Sequence, residues 1–183
     1  NYIQMKFVKY NSYNDVLLEQ LKKNNINKFY ELLKKLCNEI KESSVESKDY
    51  KNTLFDKYGI DLPLDIKQKY FYLKDGYIDM NVFNCFLVGD KIKFFDQEWY
   101  EKNVPYEYIV QRGLKLFIHK NKLEGKLNYS EMLERLGIRD DFLDILEEKF
   151  QCSVNDKNAI LFLANNSNHI DIGIDYELNV INS

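Results

Sequence analysis

Apolar and polar positions change rhythm along this chain, and the changes mark its elements. From Tyr2 to Tyr10 the run YIQMKFVKY alternates: Ile3, Met5 and Phe7 share one side, with Gln4 and Lys6 partly opposed, which predicts a strand. From Ser12 to Lys23 the rhythm becomes helical, with Val16, Leu17 and Leu21 near helical spacing, and Asn24-Asn25 breaks it. A second helix is predicted from Asn27 to about Glu42, where Phe29, Leu32, Leu33, Leu36 and Ile40 form one stripe opposite lysines and glutamates. Glu42 to Lys51, ESSVESKDYK, is polar and reads as a mobile connection. Asn52 to Tyr58 reads as a short helix closed by Gly59. Pro63 disfavours a helical Leu62, and a helical turn is expected beyond it. The aromatic cluster Tyr70, Phe71 and Tyr72 follows. It is read as core, with a nucleobase platform as the alternative.

The centre of the chain, Tyr77 to Trp99, reads YIDMNVFNCFLVGDKIKFFDQEW. Two apolar runs, about Asn84 to Val88 and Lys91 to Phe95, flank Gly89-Asp90, which predicts a hairpin after a short loop. Trp99, the one tryptophan, is expected to be largely buried and to anchor the loop after Asp96. Pro105 suits the first turn of a helix from Tyr106 to about Lys120, with Asn103 as a candidate cap and Ile109, Val110, Leu114, Phe117 and Ile118 inward. His119, among lysines, reads as a helix-terminal surface residue. Asn128 to Glu131 is a capping-box pattern opening a helix from Tyr129 to Leu136 that Gly137 closes. Asp140 or Asp141 then opens Phe142 to Phe150, with Phe142, Ile145, Leu146 and Phe150 as its apolar face. A further helix is expected over Asn158 to Ala164, and an added strand or ordered tail where Ile170, Ile172 and Ile174 alternate.

Composition narrows the classes. At 183 residues, with 45% hydrophobic and 30% charged residues, the chain suits one soluble domain with its own core. A net charge of −3 without a basic stripe argues against general nucleic-acid binding. No apolar run is long enough to span a bilayer, and no signal peptide is recognised. Cys37, Cys85 and Cys152 are widely spaced without a metal-ligand pattern, and Cys37 and Cys85 read as buried thiols, so a reducing, cytoplasmic setting is expected. The chain begins at Asn1, not at a Met, and reads as a fragment or a processed product. No internal repeat, zinc pattern, Ser-His-Asp elbow or Rossmann fingerprint is present.

The candidate chemistry lies at the hairpin. The loop before it carries Asp79 and Asn84, and its end carries Asp96. A tight ribbon returns Asp96 to the neighbourhood of Asn84, so three oxygen-bearing side chains converge, as a magnesium-phosphate site requires. This Asp-x4-Asn, hairpin, Asp order is similar to the catalytic segment of protein-kinase-like and aminoglycoside-phosphotransferase-like enzymes. The longer run from Asp75 to Gly113, with DQEW in place of D-F-G and NVPYEYIVQRG after it, most resembles the kinase-like regions attached to bacterial methyltransferases and glycosyltransferases that build surface polysaccharides. The resemblance is loose elsewhere. Tyr77, Ile78 and Gln97-Glu98 depart from the usual kinase residues, and no Gly-rich phosphate loop occurs, so the resemblance implies such a loop or a whole transferase domain upstream of Asn1.

The resemblance implies a role for each residue. Asp79 would be the catalytic base, with Asn84 and Asp96 holding Mg2+ on the phosphates of ATP. Glu98 would add a ligand or hold Asp96 in place. Lys6 and Lys9 are the candidates for pairing the phosphates, with Glu19 or Glu31 as the helix partner. The implied fold is α+β and protein-kinase-like, mostly the helical C-terminal lobe with a central β-hairpin and a reduced N-terminal sheet. Residues 1–60 would form the reduced part and 61–183 the helical lobe, in a single domain. The expected function is transfer of a nucleotide γ-phosphate to a hydroxyl of a glycan or small polyol. The alternative is a non-catalytic kinase-like accessory domain of a surface-polysaccharide methyltransferase or glycosyltransferase, and a weaker one is a small helical interaction domain unrelated to kinases.

Overall fold

A computed structural model describes residues 10–139 and 141–155. The strand expected at Tyr2 to Tyr10, with Lys6 and Lys9, lies outside the described residues, as do the helix at Asn158 to Ala164 and the tail strand. The backbone gathers into two compact units that divide between Asp144 and Ile145.

In the first unit, α1 (Tyr13–Lys22) and α2 (Ile26–Glu42) form where the apolar rhythm predicted them. Ser12 Oγ accepts the Asp15 N–H at 3.1 Å, and Asn25 Oδ1 accepts that of Lys28 at 3.4 Å, so both helices open on side-chain caps. The predicted α2 stripe is buried throughout, and Tyr13 of α1 donates its hydroxyl to Leu32 O at 2.9 Å, locking the pair. Glu19 and Glu31 are exposed and pair with Lys23 and Lys28 on their own helices.

The polar run after α2 is more than a connection. It contains β1 (Glu46–Ser47), whose partner is β2 (Tyr72–Tyr77). Between them lie α3 (Leu54–Lys57), opened by Thr53 N–H and Oγ bonds to Asp56 Oδ2 at 2.9 and 2.7 Å, and α4 (Leu64–Lys67). The Lys67 ammonium is buried and paired with Asp56. After β2 come a 3-10 turn (Val82–Asn84), then β3 (Cys85–Val88) and β4 (Lys91–Phe94), the predicted hairpin, with Gly89 at φ +59° in its turn. β5 (Tyr100–Pro105) runs antiparallel to β2, from Tyr77↔Tyr100 to Tyr72↔Pro105, giving the sheet order β1-β2-β5.

β2 and β5 were not expected. The sheet that the described residues form brackets the hairpin instead of preceding it, and the fold is mixed α+β with small antiparallel sheets.

α5 (Tyr106–Lys120) packs on β2, β5 and α2, and buries all five residues assigned to its inner face. Its N-terminus is Pro105 without a side-chain cap. Asn103 is not the cap: at φ +49° it donates its side-chain amide to Asn52 O at 2.9 Å. α6 (Tyr129–Leu136) opens on Asn128, whose Oδ1 accepts the Glu131 N–H at 3.1 Å, and closes on a left-handed Gly137. α7 (Leu143–Asn155) begins one residue later than expected, because Phe142 sits at φ +64°, outside the helix. Phe142 and Ile145 are exposed, whereas Leu143, Leu146 and Phe150 are buried, which corrects the predicted apolar face. Among the described residues no helix is long and apolar enough to cross a membrane.

Candidate functional site

β2 delivers the loop that carries the motif. At its end Ile78 N–H donates to Trp99 O at 2.8 Å, so the chain leaves the sheet beside the start of β5. Asp79 follows at once. Two residues later the buried Asn81 folds the loop back on itself: its Oδ1 accepts the Phe83 N–H at 2.9 Å and its Nδ2 donates to Asp79 O at 3.0 Å. This is the local side-chain-to-backbone bonding that short amides favour, and it sets up the 3-10 turn.

Asn84 then closes the site. Its Nδ2 donates to Asp79 O at 3.1 Å and to Asp96 O at 3.4 Å, while its own carbonyl accepts the Phe95 N–H at 3.0 Å. One amide therefore ties the loop before the hairpin to the segment after it. Asp96 stands at φ +53°, a left-handed conformation that Asp tolerates better than most residues, and turns the chain away from the hairpin. The three predicted residues, 79, 84 and 96, meet at the base of the ribbon.

Their side chains differ in setting. The Asp79 carboxylate is largely covered, with 17% of its side chain exposed, and Arg112 Nη2 of α5 lies 3.8 Å from its Oδ1. Asp96 and Glu98 are exposed. Among the described residues no hydrogen bond or ion pair joins Glu98 to Asp96. Trp99 is half-buried, and its carbonyl accepts the Ile78 N–H. Tyr70 and Tyr72 are buried, with Tyr70 packed on Phe55 at 5.2 Å between ring centres, so the aromatic cluster serves the core. His119 is exposed, its Nδ1 3.1 Å from Glu124 Oε1.

Two residues at the site carried no prediction. Asn81 had a signal, an amide two residues after Asp79 in a turn-rich run. Arg112 had none, because its place depends on how α5 packs. That packing is close: a Cβ on Gly113 would lie 3.3 Å from Asn81 Cβ, so the glycine lets the helix rest on the loop.

Among the described residues no group of three or more His, Cys, Asp and Glu is arranged to hold a metal ion. The donors at the hairpin base suit a sparser site. Hydrogen bonding engages the Asn84 amide nitrogen, which leaves Oδ1 as the atom that could meet a cation, and the Asp96 carboxylate is open to solvent. Two hard oxygen donors completed by water and phosphate oxygens are a typical magnesium set. Compared with known proteins, the chain matches no family model, no curated protein and no solved structure.

Proposed function

We propose that this chain is a kinase-like phosphotransferase domain that moves the γ-phosphate of a nucleotide, ATP in the simplest case, to a hydroxyl of a glycan or small polyol. The observation that carries this reading is the Asn84 amide, which joins the carbonyls of Asp79 and Asp96 at one end of the hairpin. In this reading Asp79 orients the acceptor hydroxyl and takes its proton as the oxygen bonds to the γ-phosphorus. The bond from that phosphorus to the bridging oxygen breaks, and the nucleoside diphosphate leaves with the electron pair. Asn84 Oδ1 and the Asp96 carboxylate would hold Mg2+, which when bound neutralises charge on the phosphates. Glu98 would add a ligand or steady Asp96. The work of the protein here is positioning and charge neutralisation. Association with a polysaccharide-building methyltransferase or glycosyltransferase in the cytoplasm belongs to the same proposal.

Calorimetry with ATP and magnesium tests it. Binding heat is expected from the wild-type protein, and Asp96→Ala should abolish the magnesium-dependent part. A folded protein that takes up no nucleotide would overturn the catalytic reading in favour of the accessory domain.

A further inference from the structure

The ladder of β2 and β5 turns one side to the helices. Gly76 of β2 lies on that side, where a Cβ would meet Val104 Cγ2 of β5 at 2.9 Å and Ile109 Cδ1 of α5 at 3.6 Å. Glu101, its register partner, pairs with Lys57 of α3. Side chains alternate along a strand, so the neighbours of these two residues take the other side. They are Asp75 and Tyr77 of β2 and, opposite them, Lys102 and Tyr100 of β5.

On that side the four do not pair straight across. Asp75 stands opposite Lys102, yet among the described residues no ion pair joins them. Asp75 Oδ1 instead accepts the hydroxyl of Tyr100, its diagonal neighbour. The Tyr77 and Tyr100 rings meet at 61° with 5.5 Å between centres, so they form a corner rather than a stack. Tyr100 is 45% exposed, Lys102 is exposed, and Asp75 and Tyr77 are half-buried. Two accessible rings therefore lie beside a carboxylate and an ammonium, with the Tyr100 hydroxyl oriented by its own donated bond. Asp79 follows Tyr77 by two residues, a span of at most about 7 Å.

We infer that this face is an acceptor subsite that seats a pyranose ring beside Asp79, with its C–H face on the tyrosine corner and its hydroxyls on Asp75 and Lys102. The face of an aromatic ring is electronegative and attracts polarised C–H bonds. A carboxylate accepts hydroxyl protons in charge-assisted bonds, and an ammonium donates to hydroxyl oxygens. A few polar groups placed around aromatic surface are the usual make-up of a small-molecule site. An open-chain polyol has the hydroxyls but no flat C–H face, so the corner selects the sugar within the proposed acceptor class. The inference deepens the phosphotransfer reading and rests on it for the chemistry, whereas sugar binding can be measured without nucleotide.

The test has two arms, on the full chain. In the first, protein labelled with 13C in its tyrosine rings is titrated with methyl β-D-galactopyranoside, methyl β-D-glucopyranoside or glycerol. At least one glycoside should shift the Tyr77 and Tyr100 ring signals saturably in the millimolar range, and glycerol should not. Tyr100→Ala should weaken binding about tenfold, and Tyr100→Phe, which keeps the ring but loses the bond to Asp75, should weaken it less. If Tyr100→Ala does not fold, Tyr100→Leu takes its place. No saturable shift with either glycoside, equal binding of glycerol, or affinity unchanged in Tyr100→Ala would overturn the inference. In the second arm, 31P NMR follows phosphate transfer from ATP to the bound glycoside, and Tyr100→Ala should raise the KM for the glycoside about tenfold without changing that for ATP. Transfer with an unchanged glycoside KM would remove the subsite and leave the phosphotransfer reading. Glycoside binding as expected but no transfer would sink the phosphotransfer reading and leave the sugar subsite standing.

Discussion

At Asp79 the main chain and the side chain are held by different parts of the protein, and substitutions separate the two. Asp79→Asn keeps the backbone carbonyl that Asn81 and Asn84 share, so the loop should keep its shape. If Asp79 is the base, phosphotransfer per folded molecule should drop by about 10²–10⁴-fold while nucleotide affinity changes little. Unchanged turnover together with an earlier thermal midpoint would mark an ordinary structural aspartate. Trp99 requires a smaller expectation than its identity suggested. As a half-buried residue whose carbonyl, not its ring, holds Ile78, its replacement by alanine should lower stability by about 1–3 kcal/mol, less than the loss of a fully buried aromatic, as read from urea midpoints. Cys37 and Cys85 are buried, and burial pushes both thiols up to about 12, which makes them inert core residues.

Among the elements, the close contact between α5 and the motif loop is one that the sequence did not announce. Gly113→Val would drive side-chain atoms into Asn81, whose own side chain is tied at both ends. It should destabilise the protein by about 1–3 kcal/mol and shift the NMR signals of Asn81 and Asp79 before those of the distant α1. What could be read in advance follows the same division between local and distant information. α2, α5 and the β3–β4 hairpin were legible because a helical stripe or a Gly-Asp turn between apolar runs is written in neighbouring residues. β2 and β5 were not, since each is defined by the other across the hairpin, and Gly76 and the left-handed Asn103 interrupt their alternation. β1 is two residues in a polar run and exists only as a partner of β2. The site divides likewise: spacing plus hairpin singled out Asp79, Asn84 and Asp96, whereas Arg112 is brought there by tertiary packing alone.

For the whole molecule, pH dependence of stability should carry the mark of one buried acid. Glu107, in the first turn of α5, is 6% exposed and accepts the Phe71 N–H at 3.0 and 3.2 Å from its two oxygens. Burial raises its pKa from 4.5 to about 7, against the Phe71 bond and the charges of Lys41 and Arg139, which pull it down. The folded state thus holds this proton more tightly than the unfolded chain. The stability it contributes is complete below pH 4.5 and is lost as pH rises towards 7. Glu107→Gln removes the titration and keeps an acceptor for Phe71. Above pH 7 the variant should be more stable than the wild type, by about 2–3 kcal/mol, with the difference shrinking as pH falls to 4.5. Urea unfolding of both proteins across that range checks it, and a constant difference would refute it. The Asn84 bridge has a consequence for how this molecule can vary. By pinning both feet of the ribbon, it relieves the Gly89-Asp90 tip of any duty in holding the motif together. Chain length at that tip is then nearly neutral, since each doubling of a flexible loop adds only about 0.6 kcal/mol of closure entropy. The tip is where this protein should accept inserted peptides, tags or evolutionary expansions while the residues at its base stay in register.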